Sequence, residues 1–303
     1  MSTTPTSLAP RFGVNIDPTM PDLEAPFARA AVADRAGLDL IAVQDHPYNP
    51  EHLDTWTVLG AIAMSTSRIL IGSNVSPLPL RPPVMLAKAI ASLQVLTHGR
   101  VILGLGAGGF PEYLASFGAP SLSPGESVAA LDEGIQLIRR LWSNNQAISF
   151  DGEHYRTTGA RFGPTPKPAV PIWIGGSKPR MLRLTGRQGD GILLSTPRIP
   201  LADLPAINAT IDEAARGAGR EPGAIRRAYN VMGDIVDTGG DDSAAGSGGK
   251  YRVDVWIRDL TVYAREGRID TFIFWPNHDR HAQLRRFAVE VVPGVRAALA
   301  GDT

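Results

Sequence analysis

Gly37-Leu38-Asp39-Leu40-Ile41-Ala42-Val43-Gln44-Asp45-His46 passes from a turn residue, through four consecutive apolar side chains, to an acid and an imidazole. So short a continuous apolar run, followed by Pro47, Asn49 and Pro50, reads as a strand buried on both faces that ends in a loop. Runs of the same kind recur at Phe12–Ile16, Ile69–Ile71, Val101–Leu105, Ile172–Ile174, Ile192–Leu194, Tyr229–Met232 and Phe272–Trp275. With Leu40–Val43 they make eight. Segments of helical period separate them: Leu86, Ile90 and Leu93; Val128, Leu131, Ile135 and Ile138; Trp256, Leu260 and Ala264; and Leu284, Phe287, Val291 and Val295. Ser123-Pro124-Gly125-Glu126 has capping-box spacing, and Pro293 should bend or end the last helix. Eight strand–helix units in 303 residues predict one α/β domain, a (β/α)₈ TIM barrel over residues 11–303; a doubly wound sheet fits five or six units better.

Three segments fall outside this repeat. Residues 1–10 are rich in Thr, Ser and Pro and read as a flexible tail, with neither the basic start nor the apolar stretch of a signal peptide. Residues 109–170 form an insertion between the fourth and fifth strands, expected to reach the active-site face. Residues 238–250 are rich in Gly, Ser and Asp and read as a mobile loop after the seventh strand.

Thirty basic residues balance thirty acidic ones, and no basic cluster marks a nucleic-acid or anionic-membrane partner. The chain has no cysteine, which excludes disulfides, thiolate catalysis and cysteine-ligated metals. A cytoplasmic enzyme acting on a small molecule is the expectation, with no membrane span.

In such a barrel the chemistry sits where strands end and loops begin. Asp45 and His46 meet that condition: a neutral imidazole can donate to or accept from a substrate oxygen, and the carboxylate can orient a neighbour. A hydrogen-bonded pair that merely closes the strand end is the alternative. Gly72-Ser73-Asn74-Val75-Ser76-Pro77 can bulge toward a flat ring or form an ordinary loop. Gly104-Leu105-Gly106-Ala107-Gly108-Gly109 has the letters of a dinucleotide fingerprint, but its first glycines fall inside the strand and Phe110-Pro111 follows where a helix should start. The glycines either admit a ligand close to the backbone or narrow the barrel wall. Gly175-Gly176-Ser177-Lys178-Pro179-Arg180 opens a helix and suits an anion or an uncharged cap. Ser195-Thr196-Pro197-Arg198 is a polar-group site or a solvated loop. His278 and His281 suggest a metal, yet the first strand lacks an H-x-H pair, so no metal site is expected and both histidines read as a solvated helix start.

Taken in order, Gly37 to His46, Gly99-Arg100-Val101-Ile102-Leu103-Gly104-Leu105-Gly106-Ala107-Gly108, Pro171-Ile172-Trp173-Ile174-Gly175-Gly176 and Asp270-Thr271-Phe272-Ile273-Phe274 resemble the luciferase-like monooxygenase superfamily. The Asp-His pair is most similar to its coenzyme F420-dependent oxidoreductase branch. The resemblance implies that Asp45 contacts the deazaflavin and His46 faces the substrate oxygen. It implies a non-prolyl cis peptide at Asn74-Val75 behind the ring, with Ser73, Ala107, Gly108, Gly175, Gly176 and Ser177 completing the cofactor site. Alcohol- and sugar-oxidising members carry a glutamate where this chain has Gly109 and a tryptophan where it has Pro50; Glu112 is a candidate substitute for the acid. These departures favour an imine, enone or carbonyl substrate walled by Tyr48, Gly109, Phe110 and Trp275. An FMN-dependent monooxygenase fed by a separate reductase is the alternative, and a non-catalytic flavin-binding barrel the third reading. Relatives of this kind imply a homodimer.

Overall fold

The computed structural model describes residues 8–20, 24–143, 146–241 and 243–301, so the first seven residues of the expected tail lie outside the described residues. Strand β1 (Arg11–Asn15), helix α1 (Ala25–Arg35), β2 (Leu40–Val43), α2 (Thr55–Ser65), β3 (Leu70–Ser73), the two-residue β4 (Ser76–Pro77) and α3 (Pro83–Leu96) form the first part. Then come β5 (Val101–Gly106), the short α4 (Pro111–Ser116), α5 (Pro124–Ser143), the β6 (Ala147–Asp151) and β7 (Arg156–Arg161) hairpin, β8 (Ile172–Gly175) and α6 (Pro179–Gln188). The chain continues through β9 (Gly191–Ser195), α7 (Leu204–Gly217), β10 (Arg226–Val236), β11 (Ser247–Arg252), α8 (Val253–Arg265), β12 (Thr271–Trp275), α9 (Arg280–Arg286) and α10 (Val292–Ala300).

Strands β1, β2, β3, β5, β8, β9, β10 and β12 pair in parallel in that order, and β12 returns to β1 with Phe12 opposite Phe272. The expected eight-stranded barrel is therefore closed. Alternation along each strand separates two cores. Phe12, Ile41, Val43, Leu103, Ile174 and Phe274 face outward against the helices. Leu40, Ala42, Ile102, Trp173, Leu193, Ala228 and Ile273 fill the interior. Glycine replaces a side chain where the inner layer has no room: a Cβ on Gly13 would lie 2.6 Å from the Leu40 carbonyl oxygen, and one on Gly72 2.8 Å from that of Ile102.

The helices follow their local signals. At α5, Glu126 accepts from the Ser123 amide at 2.8 Å and Ser123 Oγ accepts from the Glu126 amide at 3.3 Å, the predicted capping box. Asp54 caps α2 by accepting from the Thr57 amide at 2.9 Å, an arrangement worth about 1 kcal/mol. Pro293 does not end the last helical segment: it sits in the first turn of α10, and a π-helical stretch over residues 287–291 joins α9 to it. No described helix is long and apolar enough to cross a membrane.

The insertion holds α4, α5 and the β6–β7 hairpin, and its Phe110, Leu114, Pro124, Gly125 and Val128 line the central cavity, whereas no residue of the hairpin does; Glu133 of α5 accepts from the amides of Glu153, His154 and Tyr155 and holds the hairpin in place. The segment 238–250 is not loop throughout. Ser247–Arg252 pairs with β10 because Tyr251 is buried and packs edge-on against Trp256, ring centroids 5.5 Å apart.

Gly104 is the tightest of the barrel glycines: its Cβ would lie 1.9 Å from the Ser73 carbonyl oxygen, so backbone would have to move. We expect Gly104→Ala to destabilise the fold by about 3 kcal/mol. Gly60→Ala, in open space on α2, should instead stabilise it by up to about 1 kcal/mol. Thermal melts of both variants check the contrast.

Candidate functional site

The bulge after β3 determines the centre of the barrel's C-terminal mouth. The Asn74-Val75 peptide is cis, as the resemblance implied, and Val75 lies against β5 and β8. A Cβ on Gly106 or on Gly175 would come within 2.9 Å of Val75 Cγ2. Both glycine-rich motifs therefore make space for Val75. Above it opens a cavity of about 1050 Å³.

A polar chain crosses the floor. Asn74 Nδ2 donates to Asn230 Oδ1 at 2.7 Å, and Asn230 Nδ2 donates to Ser195 Oγ at 3.1 Å. All three residues face the cavity, with Asn74 and Asn230 buried. Asn230 escaped the sequence reading because it lies in the middle of an apolar strand with no loop signal. Of the segment after β9, Ser195, Pro197 and Arg198 also line the cavity.

Asp45 and His46 both reach the wall, but they point to different partners. Arg81, in the turn before α3, grips the buried Asp45 with Nε to Oδ2 and Nη2 to Oδ1, each at 2.7 Å. The same guanidinium donates to Asp54 Oδ2 at 2.6 Å and so ties the strand end to the cap of α2. Burial opposes ionisation of Asp54, yet the bonds from Arg81 and the Thr57 amide hold its carboxyl below the usual range. A bidentate pair this buried costs about 3–5 kcal/mol to break from one side. Arg81 carried no local sequence signal.

His46 turns away from this clamp toward aromatic side chains. Its Nδ1 lies 2.6 Å from the Tyr48 hydroxyl, and Phe110 meets its ring edge-on at 5.9 Å. Burial lowers its basicity, the nearby His52 lowers it further, and Asp45 and Asp17 oppose both. Tyr48 stacks on Tyr113 of α4, centroids 5.1 Å apart, so Tyr48, Phe110 and Tyr113 form one aromatic wall. Trp275 faces the cavity from β12, and Gly109 leaves open space beside Phe110.

The opposite rim is cationic. Lys178, Arg180 and Arg183 at the start of α6 line it together with Arg198, and none of the four is in an ion pair among the described residues. Arg180 lies over Gly125 at the start of α5, close enough that a Cβ there would be 2.6 Å from Nη1. Asp45 is the one acid among the described lining residues, and Arg81 neutralises it. Anions are therefore attracted to this rim by side chains and helix N-terminus together.

Ala107, Gly108, Gly175 and Gly176 line the cavity as expected. Ser73 and Ser177 do not: Ser73 Oγ donates to the Gly104 carbonyl at 2.8 Å inside the barrel wall, and Ser177 is half-buried outside the lining. Glu112 and Pro50 are exposed and also outside it, so Glu112 does not supply an acid at Gly109. His278 pairs with Asp234 at 2.6 Å near the start of α9.

The sequence pattern of the luciferase-like monooxygenase family matches residues 6–236. An F420-dependent glucose-6-phosphate dehydrogenase of Gordonia bronchialis is 31% identical over 211 residues, 67% of this chain and 62% of that protein. An F420-dependent hydroxymycolic acid dehydrogenase of Mycobacterium tuberculosis is 36% identical over 226 residues, 72% of this chain and 60% of that protein. The chain thus spans about three-fifths of the length of these curated relatives. The fold superposes on an F420-dependent secondary alcohol dehydrogenase in complex with an F420–acetone adduct, with a TM-score of 0.84, 19% identity, 95% of this chain and all of that one covered. A closed parallel barrel, a cavity built on a non-prolyl cis bulge, and a sequence pattern matched across most of the chain place this protein in the luciferase-like monooxygenase family.

Proposed function

We propose that this protein is an F420-dependent oxidoreductase that transfers a hydride between C5 of the deazaflavin and a small imine, enone or carbonyl compound. One observation carries the reading: a single cavity joins a floor of Val75 and the glycines packed against it to a rim of four cations that are in no ion pair among the described residues. These features suit a flat ring system bearing a phosphate, and the names of the relatives favour F420 over FMN. When bound, the deazaflavin supplies the carbon that gives or takes the hydride.

The remaining work falls to this chain's residues. Val75 backs the ring position, and Gly106, Ala107, Gly108, Gly175 and Gly176 line the cavity around it. Lys178, Arg180 and the amides at the start of α6 hold the phosphate. The Arg81-clamped Asp45 anchors the cofactor side, and His46 meets the reacting atom of the substrate. Tyr48, Phe110 and Trp275 keep water away from it. The expected homodimer is supported by Met64, Met85, Val95 and Leu96, exposed apolar side chains on α2 and α3.

Titration of the purified protein is expected to show tighter binding of F420 than of FMN. Tight FMN binding without F420 binding would overturn the choice and favour a two-component monooxygenase. Lys178→Ala and Arg180→Ala should each weaken F420 binding about tenfold, about 1.4 kcal/mol, with a smaller effect at high salt.

Over a panel of imines, enones and ketones, His46→Asn should lower turnover by about 10²–10⁴ while cofactor affinity stays within about threefold. Unchanged turnover removes His46 from the chemistry. Because the folded protein holds His46 below the usual value of about 6.5, its ring stays neutral as the pH falls through that value. An NMR titration of His46 should give a midpoint on the acid side of it.

A further inference from the structure

An imidazole paired with a carboxylate or carbonyl at Nδ1 keeps its proton there, which leaves Nε2 free to act as a base. That arrangement is missing from this site. Both carboxylate oxygens of the adjacent Asp45 are turned to Arg81. At 2.6 Å from Nδ1 lies the Tyr48 hydroxyl, the partner of this ring among the described residues.

A hydroxyl can donate or accept, and so can each ring nitrogen, but the two pairings are not equivalent. Phenol is the stronger acid of the two neutral groups, and an imine-type ring nitrogen is a far better base than a phenolic oxygen. The favourable pairing has Tyr48 O–H donating and Nδ1 accepting. The single proton of the neutral ring must then sit on Nε2. Both groups are neutral near pH 7: burial lowers His46, while burial and the charge of Asp45 push Tyr48 up to about 12. The phenol is held in place by its stack on Tyr113, with planes 19° apart, and by the edge of Phe110 at 6.1 Å.

We propose that Tyr48 is a positioning residue that fixes His46 as the Nε2–H tautomer, so that the site selects substrates whose reacting atom carries a lone pair, a carbonyl oxygen or imine nitrogen. The proposal deepens the oxidoreductase reading and rests on it for the identity of the hydride source. In carbonyl reduction the carbon gains a hydride from the reduced cofactor, and the electron pair of the C=O π bond moves to oxygen. That oxygen takes the Nε2 proton as Nδ1 takes the proton of Tyr48, and the phenolate regains a proton from water. The sum is carbonyl plus hydride plus one solvent proton giving an alcohol, with the cofactor oxidised. The ring passes through neither an imidazolate nor an imidazolium. An alcohol presented for oxidation meets a donor where it needs an acceptor, which fits the absence of an acid at Gly109.

The ring's proton is visible without any cofactor. Nitrogen NMR of ligand-free protein carrying isotope-labelled histidine, at about pH 8 where the neutral ring dominates, reports the tautomer directly. Loss of one signal set in His46→Asn assigns it. Wild type is expected to favour Nε2–H by about tenfold or more, and Tyr48→Phe, which keeps the stacked ring, to bring the two tautomers within about threefold. In the loaded enzyme, Tyr48→Phe should lower kcat for carbonyl reduction about tenfold with little change in KM, and lower kcat/KM for oxidation of the matching alcohol by the same factor, as the fixed overall equilibrium requires. An Nδ1–H tautomer in wild type, or an unchanged tautomer in a folded Tyr48→Phe protein, overturns the proposal. Failure of F420 to bind would strike the cofactor assignment and leave this measurement standing.

Discussion

The grip of Arg81 on Asp45 is the interaction on which the site's layout depends. A carboxylate buried at a strand end needs a counter-ion, and Arg81 supplies two parallel bonds to it and a third to Asp54. The strand end, the cap of α2 and the turn before α3 are thereby fixed to one planar group. With its acid neighbour committed elsewhere, His46 is left to the aromatic wall. The clamp thus sets both the charge of the cavity and the partner of its imidazole.

A second constraint acts through absent side chains. Val75 occupies space that Gly106 and Gly175 vacate, and the backbone at Ser73 comes so near β5 that only glycine fits at residue 104. The letters that mimic a dinucleotide fingerprint are spacing for a neighbouring bulge. Their frequency in the sequence reflects how closely strands approach at a barrel mouth.

The barrel was legible because each strand is buried on both faces and each helix has one apolar stripe, and both patterns are local. The first position of α5 was legible through Ser123 and Glu126, which answer each other across one turn. Arg81 was not: it lies 36 residues from Asp45, and nothing around it distinguishes it from a surface arginine. Asn230 was masked by its apolar strand, and Tyr113 by a helix too short to show a period. The loop expected over 238–250 failed at its end because one buried aromatic, Tyr251, outweighs the Gly and Ser around it. Local composition states what a segment tolerates, whereas tertiary contacts decide what it adopts.

The aromatic wall has a consequence for how such a protein diversifies. Phe110 and Tyr113 stand half in solvent on or next to a helix of only six residues, attached to the barrel chiefly through Leu114. The cationic rim, by contrast, is seated on the start of α6 and the turn after β9, elements whose other faces are deep in the core. Substitutions on α4 therefore reshape one half of the cavity at little cost to folding, while the backbone that carries the rim is fixed by the barrel itself. Chemistry and appetite are on separate leases: a lineage can exchange what it consumes while keeping the machinery that consumes it.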